Sequence, residues 1–522
     1  MDYFYTKVDR YKNTLYVRGY DRITGKQISF KTDGVGDLNL NLYLECTKEQ
    51  SNTNKKGLFD ETLFELNFNE IKYYNQYIYQ EQKNRRIYNN FLLENQYITQ
   101  NQLYRDYKKE FIRIGFFDIE TTSINGFPSV KNPEEEIIVF SCYSTNTKVI
   151  TVFVSDVNKN VYLDQIIKEI PDSVNVEVNI KIVNNEIELL ESMISYFKKE
   201  KFDILTGWFI SFFDLPYIYY RIVKILGEDK ANSISPFKKV KLYEEVLFGE
   251  RLPVVEFFGM SILDYMFLYK KFVSDKHINY KLDTISEDVL GDKKLDYSEY
   301  NTIQEFWEKN PAKFVAYNIV DTYLVKRLED KKKVIQLVLS FSYISKQNYR
   351  DAFSPVKTWE SLCYNYLYER NKVVPPMKMG QKDEPFKGAF VKLPVVGFHK
   401  SVVAFDVTSL YPSVDMLLNI SPETHIVKKF SEYQDKNHLE ECLHNDEFFD
   451  HLPTKNYPLT FAINGQFYDK RQQGMLPFLM KSLFDRRADT KKQMIQFKNE
   501  LEEINQQLEI FEKGEDDVQT TN

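Results

Sequence analysis

Cysteine is scarce in this sequence, with four residues among 522. They are Cys46, Cys142, Cys363 and Cys442, and no two of them lie at a spacing that binds zinc. This scarcity excludes a disulfide scaffold and is typical of a protein from a reducing cytoplasm, where thiols stay free.

Long apolar runs are missing as well. None approaches the roughly 20 residues that cross a membrane, and the first residues lack the basic and apolar regions of a signal peptide. We therefore expect no membrane partner. A chain of 522 residues is too long for a single hydrophobic core, so several domains are expected.

The formal net charge of −7 argues at first against a nucleic-acid partner. The segment 499–522 alone carries this charge, because its eight acids face only Lys513. The residues before it are net neutral and include a local basic patch, which is what phosphate binding requires. The patch consists of Lys470, Arg471, Lys481, Arg486, Arg487, Lys491 and Lys492.

Two carboxylates follow a strong strand pattern at 111–117. Residues two apart in a strand share a face, so Asp118 and Glu120 are predicted to point the same way. Neighbouring carboxylates repel each other unless they share protons or cations, so the pair predicts a divalent-metal site. Further strands at 137–143 and 149–154 and a helix at 187–197 complete an α/β pattern.

Two more acidic elements follow. Asp214 precedes Leu215-Pro216, where a helix can start, so an N-cap is its plain alternative role. Tyr317 and Asp321 are four residues apart and lie on one face of a predicted helix. Alone, such a pair is more often a solvated surface pair than a functional one.

A third candidate region lies near residue 400. The apolar run Val402–Phe405 predicts a buried strand, and Asp406 follows at its end. A carboxylate in that place reaches a cation above a sheet, although a single such Asp is usually a cap or turn residue.

The whole string Asp406-Val407-Thr408-Ser409-Leu410-Tyr411-Pro412-Ser413 resembles the first palm motif of family B DNA polymerases. The following segment 419–424, Asn-Ile-Ser-Pro-Glu-Thr, is similar to polymerases of T-even-type bacteriophages. The resemblance implies that Asp406 and Val407 hold metal ions. It also implies that Ser409, Leu410 and Tyr411 underlie the incoming nucleotide, with the tyrosine ring blocking a ribose 2′-hydroxyl.

The three acidic elements resemble, in order and spacing, the Asp-Glu-Asp-Asp-Tyr proofreading 3′→5′ exonucleases. Such enzymes use two metal ions roughly 4 Å apart, with Mg²⁺ expected and Mn²⁺ as a substitute. The resemblance implies that Asp118 bridges the metals, that Glu120 and Asp321 complete the first site and that Asp214 serves the second. The hydroxyl of Tyr317 would orient the attacking water.

Three positions are implied in DNA contact. Phe209 stands where the family usually has an Asn that holds the primer end, so we expect cleavage to be kept and that hold to differ. Gly249 lies between two apolar-rich arms at 243–257, a hairpin pattern that in the phage relatives helps to separate primer from template. Gly388, in Phe386-Lys387-Gly388-Ala389, matches the family's template-contacting link between exonuclease and palm.

Arg487 and Lys491 are four residues apart on a predicted helix and are expected to hold the triphosphate of a dNTP. The plain alternative for this pair is a solvated helix face. The resemblance places the pair at the base of the fingers.

We expect an α/β (α+β) multidomain fold. It comprises a β-rich N-terminal domain, an RNase H-like exonuclease domain, a partial palm and the first fingers helix. The expected boundaries are 1–109 with 335–377 for the N-terminal domain, 110–334 for the exonuclease, 378–463 for the palm and 464–522 for the fingers.

The resemblance also predicts parts that this sequence does not contain. These are the second fingers helix, the Asp-Thr-Asp palm motif and the thumb. Nucleotidyl transfer needs at least two metal-binding carboxylates, and here only Asp406 is found. The acidic C-terminal segment is typical of a genuine terminus, so we expect one polypeptide of a naturally split phage polymerase, active in the host cytoplasm, rather than a truncated chain.

The implied partners are primer-template DNA, dNTPs, a second polypeptide with the remaining elements, and a sliding clamp bound through that second chain. Two alternatives stay open, a self-sufficient exonuclease and a non-catalytic template-binding scaffold. Apolar residues beyond Lys492 repeat with heptad spacing, which predicts a seam that docks on the partner's helix or pairs with itself. The seam consists of Met494, Phe497, Leu501, Ile504, Leu508 and Phe511.

Overall fold

The computed structural model describes residues 2–156, 160–247, 249–376, 393–407, 409–426, 452–455 and 457–519, with side chains up to 508. The chain forms two compact units, which are treated separately below. The first comprises Met1–Asn54 and Leu63–Ser361, and the second comprises Lys55–Thr62 and Leu362–Asn522.

The chain begins with two small antiparallel sheets, ordered β1-β2-β3 and β6-β4-β7. β2 and β3 form a hairpin, and Gly25 turns it with a φ of +65° that favours glycine. The elements are β1 (Tyr3–Tyr11), β2 (Thr14–Asp21), β3 (Gln27–Thr32), β4 (Leu40–Glu45), β5 (Lys56–Gly57), β6 (Leu63–Phe68), β7 (Ile87–Tyr88), α1 (Ile71–Glu81) and α2 (Leu93–Gln100).

A six-stranded mixed sheet of order β11-β10-β9-β8-β12-β15 follows, and β13 and β14 form a separate antiparallel hairpin. The strands are β8 (Ile114–Thr121), β9 (Ile137–Ser144), β10 (Val149–Ser155), β11 (Glu177–Val183), β12 (Ile204–Thr206), β13 (Val240–Leu247), β14 (Glu250–Phe257) and β15 (Ser261–Ile262). The helices are α3 (Leu163–Glu169), α4 (Glu186–Glu200), α5 (Asp214–Leu226), α6 (Glu228–Asn232), α7 (Tyr265–Phe272), α8 (Leu282–Leu290), α9 (Ile303–Lys309) and α10 (Pro311–Lys332).

Helices cover both faces of this sheet, as expected for an α/β core. Phe116 of β8 packs in the cluster that contains α10, and Phe117 packs in the cluster that contains α4 and α5. Because side chains alternate along a strand, Asp118 and Glu120 lie on the side of Phe116 and face α10. The predicted strand therefore extends through both acids and begins three residues later than expected.

The last part of the first unit returns to the N-terminal sheet. It comprises α11 (Val334–Ser345), a 3₁₀ helix (Tyr349–Phe353) and the start of α12 (Pro355–Glu369). Asn348 exchanges two hydrogen bonds with Val8 of β1: Nδ2 donates to the carbonyl at 2.8 Å, and Oδ1 accepts from the amide at 3.0 Å.

In the second unit, β5 pairs in parallel with β16 (Lys372–Val373), and β17 (Leu459–Phe461) pairs with β18 (Phe467–Asp469). α13 (Leu410–Leu418) packs on α14 (Met475–Gln519). Asn419 joins them, because its Nδ2 donates to the carbonyls of Asp469 and Gln472 and its Oδ1 accepts from the Gly474 amide at 2.9 Å. The Asn-Ile-Ser-Pro-Glu-Thr segment thus fixes the start of the long helix.

The buried strand predicted at Val402–Phe405 is wrong. These residues have no regular secondary structure, and the Phe405 side chain is 93% exposed. A strand requires a neighbour for its backbone N–H and C=O groups, and no strand in the described part of the chain pairs with it. Among the described residues, no helix is both long enough and apolar enough to cross a bilayer.

A buried ion pair joins the N-terminal sheet to the six-stranded sheet. The guanidinium of Arg18 donates to the carbonyls of Phe202 and Gly259 at 2.7 and 2.8 Å and lies 3.6 Å from the carboxylate of Asp203. Asp203 also accepts from Tyr20 and from the Arg113 amide. Both partners are fully buried, so losing one would leave the other charge without compensation.

We predict that Arg18→Met, which keeps the aliphatic volume, lowers the free energy of unfolding by about 3 kcal/mol. Lys230→Met is the control, because Lys230 pairs with Glu191 at the surface. This substitution should change the free energy of unfolding by less than about 0.5 kcal/mol. Urea unfolding followed by tryptophan fluorescence measures both, since Trp208, Trp307 and Trp359 all lie in the first unit. Equal effects of the two substitutions would contradict the prediction.

Candidate active site

Four carboxylates from three elements meet at one cleft. Asp118 and Glu120 project from β8 and Asp321 projects from α10, with one carboxylate oxygen of each within 4.8 Å of the others. Asp214 completes the group from the start of α5. All four line a cleft of about 830 Å³ in the first unit. The three acidic elements thus come together in the described structure, as predicted.

Asp214 is not the N-cap of α5. α5 begins at Asp214 itself, and the residue before it, Phe213, makes no capping hydrogen bond. Pro216 occupies the first turn, where its missing N–H costs nothing. The Asp214 carboxylate instead accepts a hydrogen bond of 3.3 Å from the amide of Ile119 on β8. The positive end of the α5 dipole favours its ionised form.

Burial and mutual repulsion make these acids hard to ionise. Burial, together with the charges of Asp214, Glu120 and Asp321, raises the pKa of Asp118 well above its ordinary value. Burial first, and then Asp321, raises the pKa of Glu120 to about 8. Burial also raises the pKa of Asp214 to about 7, against the backbone hydrogen bond from Ile119. The cluster therefore retains protons or takes up cations near neutral pH.

Two neighbours of the cluster were missed in the sequence. Lys294, from the loop after α8, donates a 3.0 Å hydrogen bond to the hydroxyl of Tyr317 and forms an ion pair with Asp321. Asn318 donates from Nδ2 to Asp118 at 2.7 Å. Asn318 lies three residues before Asp321 on the same helix face, so spacing could have identified it. No pattern in the sequence connects Lys294 to α10.

The residues fit a hard divalent cation. Such ions prefer carboxylate oxygens, and the Asp321 carboxylate carries one buried oxygen, Oδ1, without a hydrogen-bond partner in the described structure. Tyr317 lies one turn before Asp321, as predicted, and its pKa is raised by burial and by the Asp321 charge. Tyr317 therefore stays a neutral phenol.

Aromatic rings and the β-hairpin form a further part of the cleft wall. Phe127, Trp208, Phe209 and Phe213 line it together with residues 250–253 of β14. Phe209 has a φ of +68°, its amide donates to Asp264 at 3.2 Å, and its ring stacks on Phe267. Gly249 forms the predicted turn between β13 and β14, with a φ of +85°.

The predicted polymerase residues lie in the second unit, and those that the structure describes form no comparable cluster. Asp406 and Val407 are exposed ahead of α13, Ser409 precedes that helix with a φ of +50°, and Leu410 and Tyr411 are exposed in its first turn. Arg487 and Lys491 are exposed one turn apart on α14. No hydrogen bond or ion pair connects either of them to Asp406 within the described residues. Thr408 and Gly388 lie outside the described residues.

Comparison with known proteins agrees with this arrangement. The family model "DNA polymerase family B, exonuclease domain" matches residues 59–285, and "DNA polymerase family B" matches residues 358–510.

Three curated relatives illustrate the similarity. The DNA-directed DNA polymerase of Escherichia phage RB69 is 35% identical over 74% of this chain and 42% of its own length. That of Enterobacteria phage T4 is 31% identical over 74% of this chain and 43% of its own length. The DNA polymerase catalytic subunit of Saimiriine herpesvirus 2 (strain 11) is 26% identical over 59% of this chain and 31% of its own length.

The chain spans less than half the length of these relatives. The exonuclease match contains Asp118, Glu120 and Asp214 of the acidic cleft, and the second match contains the palm motif. The chain belongs to the family B DNA polymerases and carries their exonuclease domain.

Proposed function

We propose that this chain removes nucleotides from the 3′ end of DNA by a two-metal proofreading mechanism. The observation that carries the proposal is the convergence of Asp118, Glu120, Asp214 and Asp321 in one cleft of the first unit. Lys294 connects Tyr317 to this group through Asp321. These four acids would hold divalent cations, Mg²⁺ or Mn²⁺. When bound, the cations supply charge stabilisation to the reacting phosphate.

The remaining steps belong to the protein's own groups. Lys294 donates to the oxygen of Tyr317, and the Tyr317 hydroxyl also hydrogen-bonds to Asp321. This hydroxyl would orient the attacking water. The ammonium of Lys294 also offsets the charge of Asp321. The rings of Phe209, Phe127 and Phe213 supply surfaces on which unpaired bases stack. Phe209 thereby holds the primer end by stacking, where an Asn would hold it by hydrogen bonds.

We further propose that the second unit is part of a polymerase site completed by a second polypeptide. In this site Asp406 and Val407 bind metal ions, Ser409, Leu410 and Tyr411 contact the dNTP, and Arg487 and Lys491 bind its triphosphate. Gly249 and Gly388 contact the DNA strands, and the partner chain carries the contact to a sliding clamp. The exposure of Val402–Phe405 supports this proposal, because an apolar segment that packs on nothing in the described part of the chain can be covered by a partner.

The proposed seam of α14 supports the same arrangement. Met494, Phe497, Leu501, Ile504 and Leu508 are each more than half exposed, and burying each of them contributes roughly 1.5–3 kcal/mol. The side chain of Phe511, the last residue of the predicted seam, lies outside the described residues. We propose that the seam docks on the partner's nucleotide-binding helix. We also propose that the four-domain division given above holds and that this phage protein acts in the cytoplasm of the infected bacterial host.

The first test concerns protons and metal. Because the pKa values of Glu120 and Asp214 are raised to about 8 and about 7, the folded state binds more protons than the unfolded chain. This stabilising contribution is complete below the ordinary carboxylate pKa and is lost as pH rises through about 7 to 8. We predict that Tm in EDTA falls over that range, that Mg²⁺ reverses the fall, and that Glu120→Gln flattens it. A metal-free Tm that rises over that range would contradict this prediction.

The second test concerns cleavage. A 5′-labelled single-stranded oligonucleotide should be shortened from its 3′ end with Mg²⁺ or Mn²⁺, and Asp118→Ala should abolish both cleavage and the metal-induced Tm shift. Tyr317→Phe removes only the hydroxyl, so it should lower kcat by roughly a hundredfold and keep the Tm shift. A Tyr317→Phe enzyme as inactive as Asp118→Ala would show that the two roles are misassigned.

The third test concerns assembly with the second polypeptide. Primer extension should require both chains, and Asp406→Ala should eliminate extension while leaving the exonuclease active. Leu501→Asp with Ile504→Asp should weaken co-purification and extension, whereas Asn499→Asp with Gln506→Asp, which adds the same charge to the opposite helix face, should not. Extension by this chain alone would overturn the proposal. A dimer of this chain by light scattering would indicate that the seam pairs with itself.

A further inference from the structure

The β13–β14 hairpin lies between two clefts. Residues 250–253 of β14 line the acidic cleft. Tyr243, Glu245 and Glu256 line a second cleft together with residues of β1. The hairpin is therefore one wall of the exonuclease cleft, and the surface with Tyr243, Glu245 and Glu256 is the back of that wall.

One arginine holds the back of the wall. The guanidinium of Arg350, from the 3₁₀ helix at Tyr349–Phe353, donates from Nη2 to Glu245 of β13 at 2.7 Å. Its Nη1 forms an ion pair with Glu256 of β14 and a hydrogen bond with the hydroxyl of Tyr243. Tyr243 itself donates to Glu256 at 3.0 Å. The guanidinium of Arg350 thus bonds to both strands of the hairpin.

The arginine projects from a rigid base. Tyr349 beside it is fully buried, and its hydroxyl lies 2.8 Å from that of Tyr343. Asn348 makes its two hydrogen bonds to Val8 of β1. A cleft of about 630 Å³ separates much of the hairpin's back from the N-terminal strands, so the guanidinium reaches across a gap that apolar packing does not fill.

We propose that Arg350 is a positioning residue for the exonuclease, because it fixes the hairpin as the wall of the cleft. The inference rests on the proposed function and deepens it. Without Arg350, Glu245 and Glu256 face the same gap with no cation from the 3₁₀ helix, and the hairpin loses its contact with that helix. A displaced wall should matter when it must press against a duplex, whereas a single-stranded end needs no such support.

The test compares two substrates with the full chain and Mg²⁺. Arg350→Ala should lower kcat/KM on a primer-template duplex by about tenfold, the scale of a modest misplacement of a positioning element. On a single-stranded oligonucleotide it should change kcat/KM by less than about twofold. Hydrogen–deuterium exchange should rise at 244–253 and stay unchanged in β8, which separates local loosening from misfolding.

Lys357→Ala is the matched control. Lys357 is an exposed cation close to Arg350 in the chain, and its ion pair is with Asp351 rather than with the hairpin. It should leave both the substrate ratio and the exchange unchanged. Glu245→Ala should act as Arg350→Ala does, and the combined substitution should be no worse than either one, because all of them remove one contact.

The outcomes separate this inference from the proposed function. Equal losses on both substrates, an unchanged exchange at 244–253 or additive effects with Glu245→Ala would overturn the role of Arg350. A wild-type chain that degrades neither substrate would instead overturn the proposed exonuclease. A wild-type chain that degrades both, with Arg350→Ala unaffected, would remove only the inference drawn here.

Discussion

The repulsion among four closely placed carboxylates is the constraint around which the first unit is built. Acids this close oppose their own placement, so the fold must supply the free energy that holds them together. It does so with elements that have little freedom to move. β8 lies inside the six-stranded sheet, and α10 is buried along most of its length. Lys294 and Asn318 add one cation and one amide, which lessen the repulsion without removing it.

The scaffold around this cluster depends on contacts between distant parts of the sequence. Arg18 fastens the N-terminal sheet to the end of α4 and the start of β12, and Asn348 fastens the chain beyond α11 to β1. These polar groups are buried and paired. Each one therefore allows only one arrangement of the two elements that it joins. The N-terminal strands are consequently part of the exonuclease's support, although none of their residues lines the acidic cleft.

Local patterns predicted much of this site. The period of two in β8 placed Asp118 with Glu120, and the period of 3.6 in α10 placed Tyr317 with Asp321, because both periods follow from backbone geometry. Lys294 and Arg350 escaped prediction, since each reaches its partners from an irregular segment whose direction only the tertiary fold determines. The prediction of a buried strand at Val402–Phe405 was wrong for a related reason. Its composition suits a strand, but a strand exists only where another strand pairs with it.

The backbone of Phe209 has a further consequence for which residues this position can accept. A phenylalanine in the left-handed region costs about 1 kcal/mol relative to its relaxed backbone, and Gly or Asn would relieve that cost. The same replacement would remove an aromatic surface from the cleft and its stacking on Phe267. Stability and the aromatic lining of the cleft therefore oppose each other at this single position. Selection for a more stable protein would favour Gly or Asn there, whereas selection for an aromatic cleft wall would preserve the strained phenylalanine.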